Sequence, residues 1–214
     1  MTFPGGEGKG RGLLVVLSGP SGVGKGTVVA RAMSRRSEEG ARLRRSVSVT
    51  TREERNGEVD GVDYFFVSPE EFDRRTAAGE LLEWARYLDH SYGTPAAWVD
   101  QQLAEGYDVV LEIEVAGAMQ VRKHRPEAVL IYMRPPSWQA LRRRLSKRRS
   151  ESLELQRRRL EVAQQEVRYL PRYDYLILND RVDRAARLLL AILQAERSRV
   201  KRMGADAGLE DARG

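Results

Sequence analysis

No cysteine occurs in the 214 residues. That excludes disulfides and thiolate metal sites, and makes a reducing compartment the natural setting for the chain. There are only two histidines, His90 and His124, and no metal-ligand spacing surrounds either of them. The first twelve residues are polar and rich in glycine, without an apolar stretch of signal-peptide length. The aliphatic run Leu13–Leu17 is far too short to span a bilayer. These absences lead to the expectation of a soluble, cytoplasmic protein with no membrane partner. What is present suits one globular body: 41% of the residues are hydrophobic, enough for a single good core with room for inserted lobes.

The excess of positive charge is small and local. Lys and Arg number 37 against 31 Asp and Glu, a net +6. Between Arg134 and Arg159 lie ten basic residues, opposed only by Glu151 and Glu154, so this stretch carries +8 and the rest of the chain −2. Such a distribution does not read as a general nucleic-acid coat, and no nucleic-acid partner is expected. A concentrated patch can still be a nucleic-acid footprint, which a steep salt dependence of binding to random duplex would reveal.

The rest of the chain is organised around Gly19-Pro20-Ser21-Gly22-Val23-Gly24-Lys25-Gly26-Thr27. Before it, Leu13–Leu17 reads as a buried strand; after it, Thr27–Met33 has helix-forming composition. Strand, glycine-rich turn, lysine and helix together make the context in which such a pattern is a phosphate-binding loop rather than a bare turn. Glycines let successive backbone N–H groups face an anion, and the helix N-terminus adds free donors and a positive dipole end. Lys25 supplies a point charge for the outer phosphates. Gly26 stands where a Ser or Thr normally helps to hold magnesium, with Thr27 one step later. The loop is read as the seat of a nucleotide phosphate chain.

Further along, strands and helices alternate. Leu43–Val49 is expected as a second strand and Asp63–Val67 as a third, with an Asn56-Gly57 turn between them. Ser68-Pro69-Glu70-Glu71 carries the signature of a helix start, with Ser68 as N-cap. Leu81–Leu88 is expected as a strand and Pro95–Glu105 as a helix. Tyr107–Glu114 is expected as a buried strand that ends in two carboxylates on one face. Helix 116–124, strand 128–133, helices around Leu141 and Leu145 and around Leu160 and Ala163 stopped by Pro171, strand 175–178 and a last helix capped by Asp183 complete the series. The alternation implies an α/β fold with a parallel central sheet and helices on both faces. Residues 48–94 read as a small β-rich lobe inserted into it.

Within that lobe, Ser48-Val49-Thr50-Thr51-Arg52-Glu53-Glu54-Arg55 places two arginines three apart in a hydroxyl-rich turn, followed by Tyr64. Guanidinium groups grip phosphate with paired donors, so the turn suits a second anion. A solvated, charged turn is the alternative.

In this order, the motifs resemble those of guanylate kinase, an enzyme that phosphorylates GMP with ATP. The resemblance covers about Gly12 to Arg199. It is carried by Gly19–Thr27, Ser48–Arg52 with Arg55, Gly57–Tyr64, Glu80–Trp84, Tyr92-Gly93-Thr94, Pro135-Pro136-Ser137, the arginines of the basic stretch and Asn179-Asp180. It implies a P-loop three-layer fold with an NMP-binding lobe at 48–94 and a helical lid at 134–159. The core would take residues 12–47, 95–133 and 160–203, with a disordered tail at 1–11 and another tail at 204–214.

The resemblance also implies roles. Arg52, Arg55, Tyr64 and Tyr92 fall where the family grips the GMP phosphate, and Ser48, Glu83 and Thr94 where it reads the guanine edge. Glu114 matches a guanine-side carboxylate. Glu112 points toward magnesium, to which Thr27 is the other candidate contact. The family commonly has Asp at both of these acidic positions. Arg144, Arg148 and Arg159 match lid arginines that approach the transferring phosphoryl group, and Asn179 matches a position beside adenine. Lys25, Arg52, Arg144, Arg148 and Arg159 are thus the expected catalytic set. The expected small-molecule partners are GMP and ATP with Mg2+, and a homo-oligomer is compatible with the pattern. The guanine assignment has a physical basis: N1–H and the exocyclic amine of guanine are adjacent donors for a carboxylate such as Glu83, whereas adenine would face it with a lone pair. Two further classes stay open at this level, a kinase for another small phosphorylated acceptor and a non-catalytic docking module of the same fold.

Overall fold

The computed structural model describes residues 11–38, 42–87, 89–146 and 153–203. Its first strand, β1 (Leu14–Ser18), is wholly buried and leads through the glycine-rich loop into α1 (Lys25–Glu38). There follow β2 (Leu43–Arg45), β3 (Ser48–Thr50), β4 (Tyr64–Phe66), α2 (Pro69–Ala77), β5 (Leu81–Tyr87), β6 (His90–Pro95) and α3 (Ala96–Ala104). Then come β7 (Asp108–Glu112), α4 (Val115–His124), β8 (Val129–Arg134), α5 (Trp138–Ser146) and α6 (Leu153–Glu166). A 3-10 stretch Val167–Arg172, β9 (Tyr175–Leu178), α7 (Val182–Arg197) and α8 (Val200–Met203) close the described chain. None of the described helices is long and apolar enough to cross a membrane.

Five strands form one parallel sheet in the order β2-β7-β1-β8-β9. Alternate residues of β1 feed opposite cores, as the twofold repeat of a strand requires. Val15 and Leu17 join α1 and α7 residues such as Val28, Ala32, Leu189 and Leu193 on one face. Leu14 and Val16 join Val99, Leu103, Ala118 and Val121 of α3 and α4 on the other. The result is the expected three-layer α/β sandwich. A second sheet, β4-β3-β6-β5, lies within residues 48–95 and has its own small core of Val49, Phe72 and Leu81. In the basic stretch, Leu141, Leu145 and Ala163 bring α5 and α6 together.

Several local expectations need correction. Residues 43–49 are not one strand: β2 pairs with β7 in the central sheet, whereas β3 pairs with β4 and β6 in the second sheet. The two-residue break Ser46-Val47 lets the chain pass from one sheet to the other. Strand β6, with its sparse apolar content His-Ser-Tyr-Gly-Thr-Pro, has no counterpart in the sequence reading; pairing with β3 and β5 makes it a strand. The strand expected to end at Glu114 ends at Glu112, and Glu114 occupies the N-cap position of α4. The two carboxylates therefore do not share a strand face. Asp183 does not cap the last helix, because Arg181 holds the N-cap position; Asp183 lies in the first turn and pairs with Arg31 and Arg35. Pro171 does not stop a helix but lies within the 3-10 stretch. Ser68 does cap α2, its Oγ accepting from the Glu71 N–H at 3.2 Å.

Candidate active site

The loop between β1 and α1 wraps an open space at the C-terminal edge of the parallel sheet, where ligands of such sheets gather. Gly24 adopts φ +97°, and a Cβ there would sit 2.9 Å from the Asn179 amide nitrogen. Both the left-handed backbone and the close approach call for glycine. Asn179 Nδ2 donates to Val23 O at 2.8 Å, and its Oδ1 is buried with no hydrogen-bond partner. Lys25 Nζ folds back to donate to Gly19 O at 2.6 Å. The loop thus brings Lys25 and the N-terminus of α1 together at this edge of the sheet.

A cleft of about 840 Å³ opens from this loop toward the second sheet. Ser21, Gly22, Gly24, Lys25, Gly26 and Thr27 line one end. Ser48, Tyr64, Glu83 and Tyr92 line the other, with Glu112, Glu114, Arg144 and Asn179 between or beside them. The phosphate loop and most of the residues singled out in the second sheet therefore meet across one space.

Glu83 is the best-defined group at the far end. It is 5% exposed, and burial pushes its carboxyl up to about 7, against the opposing pull of Thr94. Thr94 Oγ1 donates to Glu83 Oε1 at 2.6 Å and is itself fully buried. The Thr94 hydroxyl is thus committed to Glu83 and does not line the cleft. Gly117 in α4 makes room for the other carboxylate oxygen, since a Cβ there would meet Glu83 Oε2 at 2.7 Å. The sequence reading did not mark Gly117 as a site residue, and nothing local identifies it; α4 comes to β5 only through the tertiary fold.

The two arginines of the hydroxyl-rich turn lie elsewhere. Arg52 lines a separate concavity with Arg55, Ser68 and His90 rather than the main cleft. Its guanidinium is held in a fork by Glu58, with nitrogen–oxygen distances of 2.9 and 2.8 Å, and it also donates to Glu53 O at 2.6 Å. It lies 5.2 Å from the Tyr64 ring centre, behind the tyrosines that face the cleft. Hydrogen bonding to Glu58 raises the Arg52 pKa, and the same contact lowers that of Glu58. Glu58 also accepts from the Arg55 N–H at 2.9 Å, so it organises the whole turn. Its sequence signal was only the acid following Asn56-Gly57.

The basic stretch turns part of its charge toward the loop. Arg144 donates to Val23 O at 2.8 Å and to Asn179 O at 2.9 Å, and Arg159 donates to Ser21 Oγ at 3.1 Å. Leu145 packs over Gly22, whose added Cβ would lie 2.8 Å from it. Arg142, Arg143, Arg157 and Arg158 are exposed. Arg148 and the turn that follows it lie outside the described residues, as do residues 1–10 and 204–214, where tails were expected. Arg11, assigned to the first tail, pairs with Asp100 at 3.0 Å.

Three acidic groups, Glu112, Glu114 and Glu166, lie on this side of the molecule. Burial raises the Glu112 pKa, and Arg45 and then Lys25 pull it back. Arg45, not foreseen as a site residue, places Nε 2.8 Å from Glu112 Oε1. Glu114 is exposed at the start of α4. Glu166, also unforeseen, is pushed up to about 7 by burial first and by Glu114 second. Among the described residues, no three His, Cys, Asp or Glu side chains converge on a common point.

With this geometry in place, comparison with known proteins is direct. The family model described as guanylate kinase matches residues 11–196. Guanylate kinase of Symbiobacterium thermophilum is 48% identical over 197 residues, covering 92% of this chain and 92% of its own. Guanylate kinase of Lactococcus lactis is 47% identical over 193 residues, covering 90% and 92% respectively. The crystal structure of guanylate kinase from Anaplasma phagocytophilum superposes with a TM-score of 0.73 at 33% identity, covering 95% of this chain and 96% of the other.

Proposed function

The chain belongs to the guanylate kinase family and catalyses ATP-dependent phosphorylation of GMP to GDP; on that premise we propose how its own residues do so. The observation that carries the residue assignment is the single cleft with a lysine-bearing phosphate loop at one end and a buried carboxyl, Glu83, at the other. ATP lays its phosphates along the loop amides and Lys25, with Asn179 bracing the loop. GMP lies across the second sheet, its base toward Glu83 and Ser48 and its phosphate toward Tyr64 and Tyr92.

In this reading an oxygen of the GMP phosphate attacks the γ-phosphorus of ATP. The bond from that phosphorus to the β–γ bridging oxygen breaks, and the electron pair leaves with ADP. The acceptor is already an anion, so no side chain need remove a proton. Positioning and charge stabilisation then account for nearly all the catalysis. Lys25, Arg144 and Arg159 supply positive charge from the donor side, and Arg148 is assigned to the same group. Arg52 and Arg55 lie outside the cleft as it stands. They reach the acceptor phosphate only if the lobe closes, as kinase lobes and lids commonly do. Closure also excludes water that would otherwise hydrolyse ATP.

Magnesium is the expected metal, and the residues present fit it. Glu112 offers a carboxylate oxygen that is buried and lacks a hydrogen-bond partner, and Thr27 adds an exposed hydroxyl at the start of α1. The shortage of converging acidic side chains suits an ion that takes most of its ligands from phosphates and water. When bound, the metal neutralises charge on the donor phosphates. Glu112 and Thr27 would hold it, and Glu114 would stay on the guanine side. The absence of cysteine favours the cytoplasm as the compartment.

A coupled assay of ATP consumption with GMP, AMP, CMP and UMP tests the assignment. GMP alone should support rapid turnover. Equal rates with AMP would remove the role given to Glu83. Steeply salt-dependent binding of random duplex would favour a nucleic-acid role for the +8 stretch, but Arg144 and Arg159 turn inward toward the loop.

A further inference from the structure

Position 26, in the first turn of α1, has no side chain, and the adjoining space is taken from across the loop. A Cβ at Gly26 would lie 3.3 Å from Glu112 Oε2 and 3.7 Å from a guanidinium nitrogen of Arg45. At the first distance the carboxylate would have to give way by a few tenths of an ångström to any side chain placed there. Glu112 ends β7, and Arg45 ends the neighbouring parallel strand β2. Arg45 Nε stands 2.8 Å from Glu112 Oε1, yet that oxygen is buried and receives no hydrogen bond. The carboxylate is therefore drawn toward a cation without being saturated by it. Its second oxygen abuts the place where phosphate loops usually present a hydroxyl.

We propose that Gly26, Glu112 and Arg45 act as one unit. The Glu112 carboxylate takes over, from across the cleft, the metal-holding task of the hydroxyl missing at position 26, and Arg45 fixes its orientation. An empty position 26 and a long acid at 112 are then complementary: each is tolerated because of the other. A carboxylate is also the better partner for a hard cation that retains much of its water. Arg45 acts through Glu112 and is a positioning residue. The inference rests on the loop being the site of the donor phosphates.

Calorimetric titration of the full chain with ADP, once in excess Mg2+ and once in EDTA, reads the unit without turnover. The quantity of interest is how far Mg2+ tightens ADP binding. Glu112→Gln keeps the size and loses the charge, and should reduce that tightening about tenfold or more, while the EDTA affinity moves by less than about threefold. Arg45→Ala, at an exposed side chain, should give a smaller loss confined to the Mg2+ arm. Gly26→Ser should also reduce the tightening, because the side chain displaces the carboxylate. In a Glu112→Ala background, however, Gly26→Ser should restore at least part of it, since the hydroxyl then has both room and a task. Full Mg2+ tightening in Glu112→Gln, or losses at 26 and 112 that simply add, would overturn the proposal. Lys25→Ala serves as the control on the underlying reading: it should weaken ADP in both arms, and if it does not, the loop assignment itself fails, whatever the Mg2+ arm shows.

Discussion

Thr94 and Glu83, eleven residues apart on neighbouring antiparallel strands, are joined by a 2.6 Å hydrogen bond in which the threonine hydroxyl donates to the carboxyl group. Both side chains are buried. The bond favours the ionised carboxylate, but desolvation outweighs it and lifts Glu83 from the ordinary 4.5 to about 7. Between those values, folding takes up a proton at this site. The contribution of Glu83 to stability is accordingly present below 4.5 and is lost as the pH rises through about 7.

GMP binding should run the other way. Guanine donors require an ionised acceptor, so occupation of the site must draw the proton off Glu83. The affinity for GMP should rise about tenfold between pH 6 and 8. Titrating GMP into wild type and Glu83→Gln over that range separates this change from ionisation of the GMP phosphate, which both proteins share. A slope equal in the two proteins would remove the role given to Glu83.

Thr94→Val removes the donor and nearly preserves the shape. It should move the midpoint of that pH dependence upward and weaken GMP at neutral pH by about tenfold, consistent with the loss of one charge-assisted hydrogen bond of ~1.5 kcal/mol. The KM for ATP should stay within a factor of about two. A matching loss for ATP would point to general damage to the fold instead.

Gly117→Ala puts a methyl group where Glu83 Oε2 lies, 2.7 Å from the new carbon. The carboxylate must rotate away from its place in the cleft. Steady-state kinetics should show KM for GMP raised about tenfold with ATP nearly unaffected, an effect of misplacement rather than of lost charge. Unchanged KM for GMP would mean that the carboxylate orientation does not matter.

Lys25→Ala and Arg52→Ala should each lower turnover by about two orders of magnitude or more, the scale seen when a single charge-stabilising donor is removed. Far-ultraviolet circular dichroism and the melting temperature should change little for Lys25→Ala, whose ammonium donates to the loop carbonyl of Gly19 rather than packing in the hydrophobic core. Wild-type rates in both variants would end the mechanism given above.

Glu58→Gln breaks the fork on Arg52 without removing the arginine. If Glu58 holds Arg52 ready for the acceptor phosphate, KM for GMP should rise several-fold while ATP binding is untouched. A variant that binds GMP more tightly would instead identify Glu58 as a competitor of the phosphate. Fluorescence titration with GMP distinguishes the two.

What the sequence determined unaided was whatever depends on near neighbours. The run Leu13–Leu17, the glycines of 19–26 and the helix after Lys25 interact within a few residues, so strand, loop and helix could be read in register. The same holds for the Ser68 cap and for the alternation that implies a parallel sheet. Tertiary structure decided everything that needs an encounter between distant segments. It made a strand of 90–95, where Tyr92 and Thr94 favour a strand but Gly93 and Pro95 do not, by supplying hydrogen-bonding partners on both sides. It ended β7 at Glu112 and moved Glu114 to the head of a helix. It set Gly117 against Glu83, Arg45 against Glu112 and Arg144 against the loop carbonyls. Burial, which raises Glu83 and Glu166 to about 7, is likewise a property of the assembled layers. A side chain's charge state and orientation depend on what surrounds it in space, and sequence spacing alone does not specify those surroundings.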